Sequence, residues 1–283
     1  MVSLLVVVSV SVIRGWKADF LPLVRIAATL LFGALFIASA EPDHCPKAMV
    51  EVAGKPMIAH QLLKLKEAGF ERVVINVHHY GEQIIDYVNA NQGFGLDIAI
   101  SDERGQLLDT GGGIRKALPL FDTDSPILVH NVDIFSNADL GALYANHMND
   151  GAEASLLVSQ RKTSRYFVFN YEGSLVGWKN LQTGEVRTAY DNLQMVLGAL
   201  VKDDMSYRLR AFSGIHIISP ALFSSLGKQG EVFSITNFYW QQSLHHRIRC
   251  IEASNGFQWV DAGKPETLAM AAEIVLGATP LSL

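Results

Sequence analysis

The chain has 283 residues, of which 18% are charged and 49% are apolar, and its formal net charge is −5. This length can bury a large core, and the acidic balance argues against nucleic acid as the main partner. Its two cysteines, Cys45 and Cys250, are far apart in sequence and lack metal-ligand spacing. This cysteine usage is typical of a reduced, cytoplasmic protein and not of a disulfide scaffold.

Two uncharged apolar runs lie near the N-terminus, at residues 2–13 and 26–40. The second follows Arg25 and ends in three small residues (ASA), which is similar to a signal sequence. It is shorter than the roughly 20 residues that a transmembrane helix needs. The alternative is that one or both runs are buried strands. We expect residues 28–37 to form the first strand of the central sheet, and we expect no membrane partner.

Predicted helices alternate with predicted strands from residue 43 to residue 132. In chain order these are helix 57–68, strand 72–78, helix 80–89, strand 96–101, helix 114–118 and strand 126–132. Such alternation favours βαβ units and parallel strands.

The second half contains shorter predicted elements. They are strands 154–160, 165–170, 175–179, 212–218, 249–253 and 258–260, with helices 220–226 and 265–276. Because there is no internal repeat or low-complexity linker, residues 43–283 are predicted to form one mixed α/β domain. An atypical apolar segment, residues 1–42, precedes it.

Three consecutive glycines, Gly111, Gly112 and Gly113, follow Asp109 and Thr110 and precede the helix predicted at 114. A backbone without side chains lets a flat ligand lie against its N–H and C=O groups, and a helix N-terminus favours an anion. The alternative interpretation is a flexible turn.

Two aspartates, Asp133 and Asp261, each stand at the end of a predicted strand. Ligands of parallel α/β sheets gather at such strand ends, and paired carboxylates there suit Mg²⁺ bound to a phosphate. Lys47 and Lys55 are candidate phosphate ligands. The alternatives are ordinary turn or cap aspartates and solvated lysines.

A small group of cations, Arg161, Lys162 and Arg165, precedes one of the short strands. These side chains could contact a sugar phosphate or a carboxylate. The alternative is a solvated face of the protein.

The chain resembles the sugar-1-phosphate nucleotidyltransferases, and especially the N-acetylmuramate-1-phosphate uridylyltransferase and mannose-1-phosphate guanylyltransferase type. The matching segments cover residues 43–275 in the family's order. They are 46–56 (PKAMVEVAGKP), 76–79 (NVHH), 108–117 (LDTGGGIRKA), 131–133 (NVD), 212–215 (FSGI) and 259–265 (WVDAGKP). The resemblance implies an α/β fold, a Rossmann-like three-layer sandwich with a mostly parallel, mixed central sheet.

The resemblance also implies roles for individual residues. Lys47, Asp133 and Asp261 would be catalytic, and the two aspartates would coordinate Mg²⁺. The implied nucleotide-binding residues are Lys47, Asp109, Gly111, Gly112 and Gly113. The implied sugar-binding residues are Asn131, Lys179, Phe212, Ser213 and Gly214.

The implied reaction condenses an NTP with a sugar 1-phosphate to give a nucleotide sugar and pyrophosphate. UTP is the expected donor, with GTP as the next candidate, and the expected location is the cytoplasm. The resemblance leaves the sugar and the oligomeric state open. A homologue that binds nucleotide or sugar phosphate without catalysis is the alternative function.

Family members also carry a Gly-x-Gly-Thr-Arg loop about twenty residues before the Pro-Lys segment, and this chain has no such motif. Residues 23–42 contain one glycine, Gly33, and one cation, Arg25. The sequence before residue 43 is therefore a non-native start, or the chain is a divergent binding homologue, or it is a membrane-tethered variant. We favour the first interpretation because the boundary is sharp and the later motifs are intact. Loss of this loop would weaken phosphate binding and transfer.

Overall fold

The structure is a computed structural model that describes residues 4–9, 29–32, 46–122 and 124–277. Its strands are β1 (Leu4–Ser9), β2 (Thr29–Phe32), β3 (Glu51–Val52), β4 (Lys55–Pro56), β5 (Arg72–Val77), β6 (Asp97–Asp102), β7 (Ile127–Asn131), β8 (Ile134–Ser136), β9 (Ala154–Ser159), β10 (Arg165–Asn170), β11 (Leu175–Asn180), β12 (Val186–Arg187), β13 (Tyr207–Ile218), β14 (Ile248–Glu252) and β15 (Trp259–Asp261). Its α-helices are α1 (Met57–Glu67), α2 (Gly81–Ala90), α3 (Asp109–Ala117), α4 (Leu140–Asp150), α5 (Gln194–Ala199), α6 (Phe223–Gly227), α7 (Ile235–Gln242) and α8 (Leu268–Val275).

Eleven of the described strands form one mixed sheet. Its order is β12-β11-β10-β13-β7-β1-β2-β5-β6, with β9 beside β13 and β14 beside β9. Parallel pairs join β7 to β2, β2 to β5, β5 to β6 and β9 to β14. All three strand pairs of the β13-β10-β11-β12 extension are antiparallel. Of these, β10 and β11 are joined by a tight hairpin, which requires antiparallel strands. The predicted α/β class with a mixed sheet is confirmed, with a larger antiparallel share among the described strands than the sequence suggests.

Helices cover both faces of the sheet. On one face, α1, α2, α4 and α8 pack with Val73, Ile75 and Val77 of β5 in one apolar cluster. On the other face, α3, α6 and α7 pack with Val74. Successive strand residues point to opposite faces, so the uninterrupted apolar run of β5 supplies both layers. The predicted three-layer sandwich is confirmed.

The strand β2 lies inside the sheet, parallel to both β5 and β7. The strand β1 runs antiparallel to β2, β5 and β7. A strand within the predicted range 28–37 is thus present at Thr29–Phe32, but it is the second described strand in chain order because β1 precedes it. The remainder of that range lies outside the described residues. Most of the 1–42 segment also lies outside the described residues. This includes nearly all of residues 23–42, which lack the Gly-x-Gly-Thr-Arg motif. Among the described residues, no helix is both long enough and apolar enough to cross a membrane.

The glycine triplet lies inside α3, which begins at Asp109, five residues before the predicted helix. The backbone N–H groups of Gly111 and Gly112 donate to the Phe233 carbonyl, at 2.9 and 3.2 Å. A Cβ on Gly111 would lie 2.3 Å from the Phe233 ring, and one on Gly112 would lie 2.2 Å from the Glu231 carbonyl oxygen. The triplet therefore lets the 231–233 loop pack against the first turn of α3. In this structure the Phe233 carbonyl accepts hydrogen bonds from two of these three N–H groups, and the contact of the triplet with a nucleobase stays a prediction.

Replacing Gly111 with alanine should lower the free energy of unfolding by about 1–3 kcal/mol, because the added methyl group overlaps the Phe233 ring. Urea denaturation measures the change. The matched control is Gly105→Ala, since a Cβ there meets nothing within 4 Å. Equal losses for the two variants would contradict the packing role.

Three histidines are buried as neutral side chains. His147 of α4 is hydrogen bonded at both ring nitrogens, each 2.8 Å from a hydroxyl oxygen, those of Ser155 and Ser219. Burial lowers its pKa to about 4, and burial also lowers the pKa values of His130 and His216 to about 3. Below pH 6.5 the unfolded chain binds protons that the folded chain does not bind, so the free energy of unfolding falls as the pH drops toward 4.

His147→Gln should reduce this acid sensitivity, because glutamine keeps polar contacts with the two serines and does not titrate. A pKa difference of one unit is about 1.4 kcal/mol, so His147 should account for about 2 kcal/mol of the stability lost between pH 6.5 and pH 5. The measurement is urea unfolding of both proteins at the two pH values. An identical loss in the variant would rule out this role for His147.

Candidate active site

The two strand-end aspartates meet at one edge of the protein. Asp133 lies in the turn between β7 and β8, and Asp261 ends β15. The strands β8 and β15 pair antiparallel with Asp261 opposite Ile134, and the Ala262 N–H donates to the Asp133 carbonyl at 2.8 Å. This pairing brings together two carboxylates from distant parts of the sequence.

Lys47 forms an ion pair with Asp133. It begins the short 3-10 turn Lys47–Met49, and its Nζ donates to Asp133 Oδ2 at 2.5 Å. Gly263 leaves space for the Lys47 side chain, because a Cβ at this position would lie 2.3 Å from Lys47 Nζ and 2.7 Å from Asp261 Oδ1. The predicted catalytic residues Lys47, Asp133 and Asp261 therefore converge. Gly263 is part of the 259–265 motif in the sequence, but the motif does not show that the missing side chain leaves space for Lys47.

The negative charges of Asp133 and Asp261 are only partly balanced by the Lys47 ammonium. Burial raises the pKa of Asp133, the Lys47 ammonium opposes the rise, and the Asp261 carboxylate adds to it. Asp133 Oδ1 is buried and, among the described residues, has no hydrogen-bond partner. An unpaired buried carboxylate oxygen is costly, so this atom is suited to a cation that arrives with the substrate.

The donor set fits Mg²⁺, which commonly takes one or two carboxylates and completes its shell with substrate phosphates and water. Across the described ranges, no group of three or more His, Cys, Asp or Glu side chains could hold a metal ion. At Asp133 and Asp261 the other ligands of such an ion would be substrate phosphates and water.

A cleft of about 490 Å³ is lined in part by Arg161, whose guanidinium interacts electrostatically with Asp261. Its floor is a row of cross-strand neighbours, in which Phe167 of β10 lies opposite Trp178 of β11, and Trp178 lies opposite Arg187 of β12. The first residues of α7 and the preceding Ser234 form a side wall. Aromatic side chains beside polar groups are typical of a site for a small polar ligand.

Arg161 connects the cleft to the aspartates. Its Nη2 donates to the Phe212 carbonyl at 2.8 Å, and its guanidinium lies 3.9 Å from the centroid of the Trp259 ring. Burial lowers the pKa of Arg161, and the Asp261 carboxylate opposes this. Arg161 is thus part of the site and not of a solvated face, whereas Arg165 lines the cleft with an exposed side chain.

Four of the predicted sugar-binding residues lie near this junction. Phe212 lines the cleft, and the Ser213 carbonyl accepts a hydrogen bond from Trp259 Nε1 at 2.9 Å. Gly214 has φ +74° and lies where the register of the β13–β9 pairing shifts. A Cβ on residue 214 would lie 3.1 Å from Asn131 Nδ2. This backbone bend allows Asn131 to pack against residue 214.

Lys179 is not brought to the cleft. Strand residues alternate between faces, so Trp178 faces the cleft and Lys179 points to the opposite side. There its buried Nζ donates to the carbonyls of Leu197 and Gly198, at 2.8 and 2.6 Å, near the C-terminal end of α5. The expected sugar contact of Lys179 is corrected to a contact with these helix-end carbonyls. The alternation with Trp178 was the sequence signal that separates the two residues.

Asp109 lies at the start of α3 with an exposed side chain and φ +59°. Its Oδ1 accepts a hydrogen bond from the Thr110 N–H at 2.6 Å. Of the predicted nucleotide-binding residues in this segment, Asp109 is exposed, whereas Gly111, Gly112 and Gly113 are buried.

The chain is similar to known proteins in sequence and in fold. The family model for nucleotidyl transferases matches residues 43–174. The N-acetylmuramate alpha-1-phosphate uridylyltransferase of Caulobacter vibrioides is 31% identical over 234 residues, which cover 81% of this chain and 87% of that protein. The mannose-1-phosphate guanylyltransferase catalytic subunit beta of Dictyostelium discoideum is 25% identical over 224 residues. That match covers 78% of this chain but just over half, 56%, of that protein.

A solved structure supports the fold. HddC from Yersinia pseudotuberculosis, complexed with GMP-PN, superposes with a TM-score of 0.63 at 16% identity, covering 85% of this chain and 93% of that one. From its fold and its similarity to the Caulobacter protein, the chain belongs to the nucleotidyl transferase family.

Proposed function

We propose that this chain transfers a uridylyl group from UTP to a sugar 1-phosphate and releases pyrophosphate. The observation that carries the proposal is the convergence of Lys47, Asp133 and Asp261 beside the aromatic cleft. An oxygen of the sugar phosphate attacks the α-phosphorus of UTP, and the bond from that phosphorus to the bridging oxygen of pyrophosphate breaks. The attacking oxygen is already anionic, so the protein needs to align the reactants and neutralise charge.

Each residue of the cluster has a task in this scheme. Asp133 and Asp261 would hold Mg²⁺, which when bound neutralises phosphate charge and orients the triphosphate. Lys47 pairs with Asp133 in the absence of substrate, and its ammonium would turn to the incoming phosphates. Arg161, beside Asp261, would face the phosphate of the sugar.

The choice of UTP follows the uridylyltransferase name of the Caulobacter relative, and GTP is the next candidate because of the guanylyltransferase relatives. N-acetylmuramate α-1-phosphate is the first sugar to test for the same reason. We place the activity in one domain, residues 43–283, and in the cytoplasm, where nucleoside triphosphates are abundant.

A second candidate function is supported by the absence of a Gly-x-Gly-Thr-Arg segment from the sequence. Removing one donor to a transition-state anion typically costs about 10²–10³ in rate. A chain without this loop could bind nucleotide or sugar phosphate and transfer slowly or not at all. Turnover distinguishes the two functions.

Gln61 of α1 forms hydrogen bonds with the backbone of the turn that carries Asp133. Its buried Nε2 donates to the carbonyls of Val132 and Ile134, at 3.2 and 2.9 Å, one on each side of Asp133. One turn further along α1, Lys64 donates to the Ser136 carbonyl at 2.5 Å, at the far end of β8. We propose that Gln61 is a positioning residue that sets the orientation of the Asp133 carboxylate.

The direct test is pyrophosphate release from UTP, GTP, CTP and dTTP with a panel of sugar 1-phosphates and Mg²⁺. The chain should be compared with a version whose first 42 residues carry a Gly-x-Gly-Thr-Arg start. We expect UTP to be the best donor and the second version to be faster by about 10²-fold or more. Equal rates in both versions would refute the claim that the N-terminal segment impairs transfer.

In the faster version, Asp133→Asn should reduce kcat/KM by at least about 10²-fold, because charge stabilisation at the phosphates is lost. The control is Asp97→Asn, an exposed carboxylate on β6 that pairs with Arg72. An active Asp133→Asn variant would remove the basis of the proposal.

Gln61→Leu should lower kcat by about tenfold and raise the Mg²⁺ concentration for half-maximal activity, because the turn that carries Asp133 loses both of its supports. Lys64→Met is the matched control on the same helix. A loss of thermal stability in both variants, with Mg²⁺ dependence unchanged in Gln61→Leu, would make Gln61 purely structural.

A further inference from the structure

We infer that Thr110 is a positioning residue for the cleft, because its hydroxyl fixes the start of α7, which forms the side wall of the cleft. This role rests on the proposed function, in which a sugar 1-phosphate lies in the cleft. Thr110 belongs to the 108–117 motif, which predicts a nucleotide site. Its side chain, however, acts on the sugar site.

The Thr110 hydroxyl accepts a hydrogen bond from the first N–H group of α7. Thr110 Oγ1 lies 3.0 Å from the nitrogen of Ile235, which is a buried residue. The N–H groups in the first turn of a helix have no partner within the helix. Ser234, at the N-cap of α7, makes no side-chain hydrogen bond to this turn. Thr110 therefore satisfies one of these N–H groups from a different helix, α3.

The first turn of α7 contributes to the lining of the cleft. The residues that line it there are Ser234, Thr236 and Asn237. Asn237 Oδ1 accepts a hydrogen bond from Arg187 Nη1 at 2.6 Å, and the Arg187 guanidinium lies 5.0 Å from the centroid of the Trp178 ring. Because Trp178 is part of the floor, a shift of this turn would change both the wall and the floor of the cleft.

The loop before α7 is attached to α3 by contacts that do not involve the Thr110 side chain. The Phe233 N–H donates to the Leu108 carbonyl at 3.3 Å, and the Phe233 carbonyl accepts from two glycines of the triplet. Arg115 Nη1 lies 2.7 Å from each of two carbonyl oxygens in the 229–230 segment. Loss of the Thr110 hydroxyl should therefore leave α3 and this loop in place and release only the first turn of α7.

Isothermal titration calorimetry tests this role with N-acetylmuramate α-1-phosphate and mannose 1-phosphate as probes, and with UTP and Mg²⁺ in a separate titration. Thr110→Val keeps the shape of the side chain and removes the acceptor of the Ile235 N–H. We expect this variant to bind the tighter of the two sugar phosphates about fivefold to tenfold more weakly, and to bind UTP within about twofold of the unaltered chain. Thr110→Ser keeps the hydroxyl and should restore the affinity for the sugar phosphate.

Ser219→Ala is the control for a general loss of stability. It removes a buried-side hydroxyl contact with His147 and a hydrogen bond to the Ala152 carbonyl, and Ser219 is not among the residues that line the cleft. We expect this variant to unfold at a lower temperature and to bind the sugar phosphate as tightly as the unaltered chain does.

Four results would overturn the role of Thr110. They are an unaltered chain that binds neither sugar phosphate, an unchanged sugar affinity in Thr110→Val, a loss of UTP affinity alone, and equal losses for the sugar and UTP, which would make Thr110 purely structural. Pyrophosphate release together with an unchanged sugar affinity in Thr110→Val would support the proposed function and overturn this role. A selective loss of sugar affinity in that variant, without turnover by any version of the chain, would support the role and overturn the proposed function.

Discussion

The short pairing of β8 with β15 is the constraint on which the candidate active site depends. It joins a turn in the middle of the chain to a strand near its end, and so places Asp261 beside Asp133. The pairing is stabilised from the core side, where Phe135 and Val260 are 3% and 4% exposed. Burial of these side chains offsets the entropy of closing a long loop. The two carboxylates are held close together by apolar contacts that lie next to them.

The same constraint explains the role of Lys47. Two carboxylates close together repel each other, and a cation paired with one of them reduces that cost. The missing side chain at Gly263 gives the lysine access, and the Gln61 amide holds the turn from the other side. The cluster is therefore maintained by charge compensation in the absence of substrate. A metal ion and a triphosphate could replace the lysine without rebuilding the fold.

Local patterns in the sequence predict much of this structure. Apolar runs and helix spacing predict β5, β7 and α1, and the position of Asp133 and Asp261 at strand ends predicts that they meet. The helix α4 was also predictable, since Asp139 caps it and Leu140, Leu143 and Tyr144 have helical spacing, but it was not identified.

Features that depend on contacts between distant segments were not predictable in this way. A glycine triplet is compatible with a bound ligand and with a packed loop, and its contact with Phe233 becomes visible only in the folded chain. The environment of Lys179 depends on α5, whose end carbonyls lie on the side of the sheet away from the cleft. Arg161, Arg165 and Arg187 likewise line one cleft only because the fold brings β10, β12 and the Arg161 segment together.

A crystal structure with UTP and Mn²⁺, in which anomalous scattering locates the metal, tests whether Lys47, Asp133 and Asp261 form the active site. We expect one Mn²⁺ ion bound by Asp133, Asp261 and triphosphate oxygens, with Lys47 Nζ moved from Asp133 to a phosphate. Mn²⁺ and UTP bound away from both carboxylates, with the Lys47–Asp133 pair intact, would contradict this expectation.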